Sequence, residues 1–376
     1  MNINGQPTRS IWTQPDGSIG IIDQTRLPQQ VVTATLASAA EVIDAIRAMR
    51  VRGAPLIGVT GAYGLALALR EDASDAAVDA AHHALNAARP TAVNLRWALD
   101  RVRRIAGALP PDQRAAAAWA EAGRIAEEDV AINRDIGRHG AELLTALHRQ
   151  LGRPVQVLTH CNAGWIATVD YGTALSAIYQ AHDAGVPLQV WVDETRPRNQ
   201  GLLTAWELAA HGVPHTLIVD NAGGHLMQHG EVDIVIVGAD RVTARGDVCN
   251  KIGTYLKALA AHDNRVPFYA AVPSPTIDWQ VTDALHDIPI EDRDGDEVRI
   301  VAGRGPDGAP AHLRLADATT AVANPAFDVT PARLVTGIIT ERGVVTPDGL
   351  RAQFGMPTVR GAASGAASMG AHGAPQ

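Results

Sequence analysis

Hydrophobic and polar positions change their rhythm twice along the chain. Between residues 10 and 36 the apolar runs "IWT" and "IGIIDQ" flank the turn "PDGS", and Asp16-Gly17 at the bend predicts a hairpin. From Ser38 the spacing becomes helical: Val42, Ile46 and Met49 share one face of "SAAEVIDAIRAMR", behind a Ser38/Glu41 capping-box pattern. Alanine-rich helical segments continue to about residue 150.

After Gly152 the rhythm changes again. "VQVLTHC", "LQVWVDE", "HTLIVDN", "VDIVIVGAD" and "VPFYAAVPS" are strand-length runs rich in β-branched residues, and most are separated by enough chain for a crossover helix. The predicted fold class is α/β: a C-terminal Rossmann-like parallel-sheet domain over residues 151–358, preceded by a small antiparallel sheet and a helical N-terminal domain over residues 1–150. The low-complexity stretch "GAASGAASMGAHGA" predicts a disordered tail over 359–376. No internal repeat of fixed period is present.

Composition narrows the function. The chain has 376 residues, is 46% hydrophobic but only 4% aromatic, and carries a net charge of -8. An acidic chain without a clustered basic face argues against nucleic acid as a partner. The start "MNINGQPTRSIW" has no basic-then-apolar layout, and no run approaches the ~18 apolar residues of a membrane span, which predicts a cytoplasmic protein with no membrane contact. Cys161 and Cys249 are the only cysteines, too few for a disulfide framework. His225 and His229 in "GGHLMQHG" are spaced like metal ligands but lack a third, so a solvated helix face is expected and no metal site.

In open α/β sheets ligands bind beyond the carboxyl ends of the strands, so the residues closing each run carry the chemistry. These are Cys161, Asp193 with Glu194, Asp220 with Asn221, Asp240, and Ser274. Cys161 precedes "NAGWIATVDYGTALSAIYQA", a turn and then a helix whose amides would favour a thiolate; the plainer reading is a small core residue. Cys249 is assigned to packing. Asp240 closes the most apolar run, where desolvation would raise its pKa and suit a general acid, although a salt bridge or helix cap fits equally well.

Three segments look built for an anion. Arg52-Gly53-Ala54-Pro55 precedes an apolar helix, so backbone amides and Arg52 could hold a phosphate together. Arg89 stands before a Pro-Thr helix start, and Asn250-Lys251 follow Asp240 by ten residues. Neither GxGxxG after the first parallel strand nor GxxxxGK[ST] is present, which removes support for a dinucleotide enzyme or a P-loop NTPase.

Together "RGAPLIGV", "RPTAVNLRWAL", "LTHCNAG", "DETRPRNQGLLTAWEL", "VGADRV", "GDVCNKIGTY", "PFYAAVPSPTID", "IPIEDRD" and "NPAFDVTP" resemble the methylthioribose-1-phosphate isomerases of methionine salvage. That family shares its fold with the alpha, beta and delta subunits of the guanine-nucleotide exchange factor for translation initiation. The resemblance covers roughly residues 10–355 and implies isomerisation of 5-methylthioribose 1-phosphate to 5-methylthioribulose 1-phosphate by a homodimer, without metal or other cofactor. It also implies that Asp240 is the proton donor and that Cys161 stabilises the transition state or relays a proton. Arg52, Gly53, Ala54, Arg89, Gln200, Asn250 and Lys251 match the substrate-binding positions.

Three places depart from the family pattern. Trp165 follows "CNAG", "QGLLTAWEL" is shorter than "QGARLTAWEL", and "DNAGGHLM" replaces "DNMAAHLM". Expected beside the pocket, they point to the C5 substituent as the variable part of the substrate, with 5-deoxyribose 1-phosphate or ribose 1,5-bisphosphate as alternatives. The rival to an enzyme is a non-catalytic regulatory subunit of the same fold, which would have no use for a paired thiol and carboxyl.

Overall fold

In the computed structural model, which describes residues 1–3 and 5–356, the chain opens on a ribbon of β1 (Asn2–Ile3) and β2 (Gln6–Pro7). The tail predicted for 359–376 lies outside the described residues. β3 (Ile11–Thr13), β4 (Ile19–Ile22) and β5 (Thr33–Leu36) form an antiparallel sheet. Asp16 accepts the Ser18 amide at 2.9 Å and Gly17 takes φ 83°, so the Asp-Gly pair makes the expected bend.

α1 (Ala39–Arg47) starts on the predicted capping box, with the Glu41 amide donating to the Ser38 hydroxyl and the Ser38 amide to the Glu41 carboxylate. α2 (Ala54–Glu71), α3 (Asp75–Asn86), α4 (Val93–Gly107) and α5 (Pro111–Leu151) complete the N-terminal part. α2 is apolar nearly all round because α1, α3, α4 and α5 all pack against it. α5 begins at Pro111 and ends at Gly152, whose φ of 64° suits a glycine stop. Its first half gives Ala118, Ala122 and Ile125 to the helical core, and its second half gives Ile136 and Leu144 to the core against the parallel sheet. One helix therefore fastens both parts.

The five predicted parallel strands form as β6 (Val155–Thr159), β7 (Leu188–Asp193), β8 (His215–Ile218), β9 (Ile234–Val237) and β12 (Phe268–Ala271). α6 (Ala174–Asp183), α7 (Gln200–His211) and α8 (Ala222–Gln228) supply the first crossovers, and α9 (Thr254–Asp263) precedes β12. β10 (Arg241–Thr243), β11 (Val248–Lys251), β13 (Ile277–Asp278) and β16 (Phe327–Thr330) build a second sheet ordered β13-β10-β11-β16. β14 (Ile300–Arg304) and β15 (Pro310–Arg314) pair as a hairpin, and β17 (Gly337–Thr340) and β18 (Gly343–Val345) finish the main sheet.

The main sheet is ordered β18-β17-β12-β9-β6-β7-β8, parallel except for β18. The chain runs from β6 outward to β7 and β8, then returns to lay β9 on the other flank of β6. That reversal between β6 and β9 opens a crevice beyond their carboxyl ends. Cys161 follows β6 and Asp240 follows β9, so two residues far apart in sequence hang from neighbouring strands.

Candidate active site

At the reversal lies a cleft enclosing about 730 Å³, part of it open to solvent. Every residue assigned to catalysis or substrate binding from the sequence lines it. Arg52, Gly53 and Ala54 come from the start of α2, and Arg89 from the turn before α4. Cys161 and Asp240 come from the strand ends, Gln200 is the first residue of α7, and Asn250 and Lys251 end β11. The second sheet thus delivers a cation to a site founded on the first.

Glycine at 53 is a requirement of this assembly. Its φ is 93°, and a Cβ there would lie 2.6 Å from the Ala167 Cα. The close approach seats the start of α2 on the loop after β6. No side chain caps α2, Pro55 stands in its first turn, and Ala54 and Pro55 line the cleft. Arg52 donates to the Asn162 carbonyl oxygen at 3.1 Å and to Asn162 Oδ1, while its buried Nε has no partner. Buried Gln200 Oε1 is also unpartnered. The protein itself leaves both of these buried polar atoms unsatisfied.

Burial pushes the Asp240 carboxyl up from its ordinary pKa, against the pull of Lys251, Arg89 and Arg52, and nearby Glu291 pushes the same way. The sequence-based expectation of a raised carboxyl therefore agrees with the structure. The expectation of a thiolate at Cys161 does not. Burial pushes this thiol up too, Lys251 and Arg52 only partly offset it, and Asp240 adds to the rise. The helix expected to supply amides is displaced: Trp165–Ala167 is a single 3-10 turn and α6 starts only at Ala174. Cys161 itself takes φ 71°, held by its amide donating to Thr195 Oγ1 at 2.8 Å and its carbonyl accepting from Thr204 at 2.8 Å.

Lys251 is pulled below its ordinary pKa by burial, while Cys161 and Asp240 oppose that shift. Its ammonium donates to the Ala326 carbonyl at 2.9 Å and sits 4.4 Å from the centre of the Phe327 ring. Arg89 lies 3.5 Å from Glu291, and Asn250 donates to Thr254 at 3.1 Å. Cys249 is buried among Ala284, Ile288 and Phe327, as packing predicts.

His225 and His229 are exposed on α8, their rings 4.2 Å apart. His160, Asp193 and Asp220 do converge, but Lys257 Nζ lies 3.1 Å from Asp193 Oδ2, the oxygen that His160 Nδ1 approaches to 2.9 Å. An ammonium is already paired with this carboxylate.

Two of the three family departures lie elsewhere than expected. Trp165 is buried in the core against Trp206, and "DNAGGHLM" forms the start of α8; neither lines the cleft or its approach. Only "QGLLTAWEL" touches the site, through Gln200 in the cleft and Leu202 and Leu203 on the outer approach. Asn162 and Arg198 line the cleft as well, although nothing in the sequence singled them out. Both stand inside quoted motifs, "HCNAG" and "RPRNQ", where adjacency to a chosen residue was the available signal.

Residues 50–347 match the model of the initiation factor 2 subunit family. The methylthioribose-1-phosphate isomerase of Methylorubrum populi is 63% identical over 354 residues, covering 93% of this chain and 97% of that protein. The crystal structure of 5-methylthioribose 1-phosphate isomerase from Pyrococcus horikoshii superposes with a TM-score of 0.79 at 39% identity, over 93% of this chain and 96% of that one. A second crystal structure, of the translation initiation factor eIF-2B, subunit delta, from A. fulgidus, has a TM-score of 0.76 at 39% identity, over 93% of this chain and 100% of its own. The chain belongs to the initiation factor 2 subunit family, within its methylthioribose-1-phosphate isomerase branch.

Proposed function

We propose that the protein converts 5-methylthioribose 1-phosphate to 5-methylthioribulose 1-phosphate, the aldose-to-ketose step of methionine salvage, with Asp240 and Cys161 as its reacting groups. The observation that carries this reading is a thiol and a raised carboxyl on neighbouring strand ends, in a cleft also lined by Arg52, Arg89, Arg198 and Lys251. These cations and the start of α2 suit a sugar phosphate.

The anomeric phosphate blocks the open-chain aldehyde, so the ring must open on the enzyme. Asp240 gives its proton to the ring oxygen as the bond from that oxygen to C1 breaks. Hydrogen then moves from C2 to C1, and the C2 hydroxyl loses its proton to leave the ketone. Cys161 serves this second stage as base, relay or polarising group. A hydride shift keeps a C2 deuterium in the product, whereas a proton passed through an enediolate loses it to water.

In this reading Arg52, Gly53, Ala54, Arg89, Gln200, Asn250 and Lys251 bind the substrate, residues 1–150 and 151–358 act as two domains, and the enzyme works as a cytoplasmic homodimer. The test is ketose formation by purified protein in buffer containing a chelator and no nucleotide, over a panel of pentose 1-phosphates differing at C5. Cys161→Ala and Asp240→Asn are each expected to abolish turnover. Full activity in either overturns its assigned role, and no turnover on any member of the panel favours the regulatory-subunit reading.

A further inference from the structure

Behind the cleft sits a carboxylate that the reaction above does not use. Glu207, on α7, is 1% exposed. Its Oε1 accepts from Asn162 Nδ2 at 2.9 Å, and its Oε2 accepts from the Trp165 amide at 2.9 Å and the Tyr179 hydroxyl at 2.7 Å. Burial pushes its pKa up, and the hydrogen bonds from Asn162 and Tyr179, the charge of Arg52 and the Trp165 amide all pull it back. The Asn162 side-chain amide and the Trp165 backbone amide donate to it, an arrangement that suits a carboxylate, while Tyr179 can donate or accept. Space is cleared for it: a Cβ on Gly164 would fall onto this carboxylate, 2.5 Å from its carbon.

The Asn162 amide transmits this arrangement to the cleft. Glu207 can only accept, and Thr204 Oγ1 lies 3.1 Å from the same amide nitrogen, so Nδ2 must face them. Oδ1 is then forced toward Arg52, which it meets together with the Asn162 carbonyl oxygen. Arg52 is therefore gripped by two neutral oxygens, and the carboxylate at the end of this chain of bonds stands one amide further away. A carboxylate directly on the guanidinium would compete with an incoming phosphate. One placed at a remove fixes its aim and steadies its charge without occupying the anion's seat.

We propose that Glu207 is a positioning residue: through Asn162 it holds Arg52 aimed into the cleft with its charge left for an anion. The inference rests on the phosphosugar reading above, but it is testable with inorganic phosphate alone. In Glu207→Gln an amide NH2 faces donors or forces Asn162 to turn its own NH2 toward Arg52. Phosphate affinity, measured by calorimetry, is expected to fall about tenfold, and KM to rise more than kcat falls.

The double variant Glu207→Gln/Asn162→Asp separates positioning from mere support of the fold. There the amide introduced at position 207 can donate to the carboxylate introduced at position 162 and still accept from Trp165 and Tyr179. The bond between the two side chains is restored at the expense of the donation to Thr204 Oγ1, and the negative charge now lies directly on Arg52. Thermal stability is expected to return in part while phosphate affinity stays low. Recovery of phosphate binding together with stability overturns the proposal, as does unchanged binding in Glu207→Gln or absence of phosphate binding in the wild type. Wild-type turnover of the sugar phosphate reports separately on the isomerase reading.

Discussion

Asp240 keeps its proton to higher pH than an ordinary carboxyl because desolvation outweighs three nearby cations. As the proposed acid it works only while protonated, so kcat/KM is expected to descend as pH rises through its raised pKa. Removing Lys251, the strongest opposing charge, lets that pKa climb further. In Lys251→Met the descending limb is therefore expected to move to higher pH, whatever happens to the rate; a limb that stays put would detach it from Asp240. Asp240→Asn is expected to cost at least about 10²–10⁴ in kcat, the range for a general acid, which takes turnover to background. At this scale the sequence was informative about which residues line the cleft, because a polar residue closing an apolar strand has a predictable exit point. It was uninformative about Cys161's charge, which depends on where α6 begins and how tightly the thiol is enclosed.

Helix starts were readable where side chains make them. The Ser38/Glu41 box caps α1 as its spacing requires, and Ser38→Ala is expected to destabilise the protein by about 1 kcal/mol in urea unfolding while leaving kcat/KM unchanged. The start of α2 has no such signature, since its role comes from the φ of Gly53 and from contact with the loop after β6. Gly53→Ala must bear a left-handed conformation and push against the Ala167 backbone. A loss of about 2–3 kcal/mol in stability, with turnover largely gone, is expected from melting and assay together. The second sheet was not foreseen at all. Its strands are two to four residues long, as at Arg241–Thr243 and Ile277–Asp278, and exist through partners distant in sequence rather than through any local period.

Across the whole molecule five of the seven strands of the main sheet were legible as apolar runs, β17 and β18 were not, and the order of the strands was not either, because backbone hydrogen bonds between distant segments decide it. That order is what places Cys161 beside Asp240. The two parts are also joined by a carboxyl. Asp129, on α5, accepts the Val169 amide at 2.7 Å, and burial pushes its pKa up to about 7. The unfolded chain has this group near 3.8, so between those values the folded state holds more proton and loses stability as pH rises. Asp129→Asn is expected to remove this slope, gaining on the order of 4 kcal/mol at about pH 8 and little at about pH 4 in denaturant melts.

The contact of Gly53 with Ala167 bears on how such a chain can be inherited. Its two sides lie far apart in sequence, and the segments that carry them pack into different cores through Leu56 and Ile166, yet a methyl group added at the first has no room beside the second. A recombinant joining the front of one relative to the back of another retains a closed pocket only where a glycine again meets an unobstructed backbone across this seam. The halves are thus tied to each other through descent by a close backbone contact in the wall of the cleft itself.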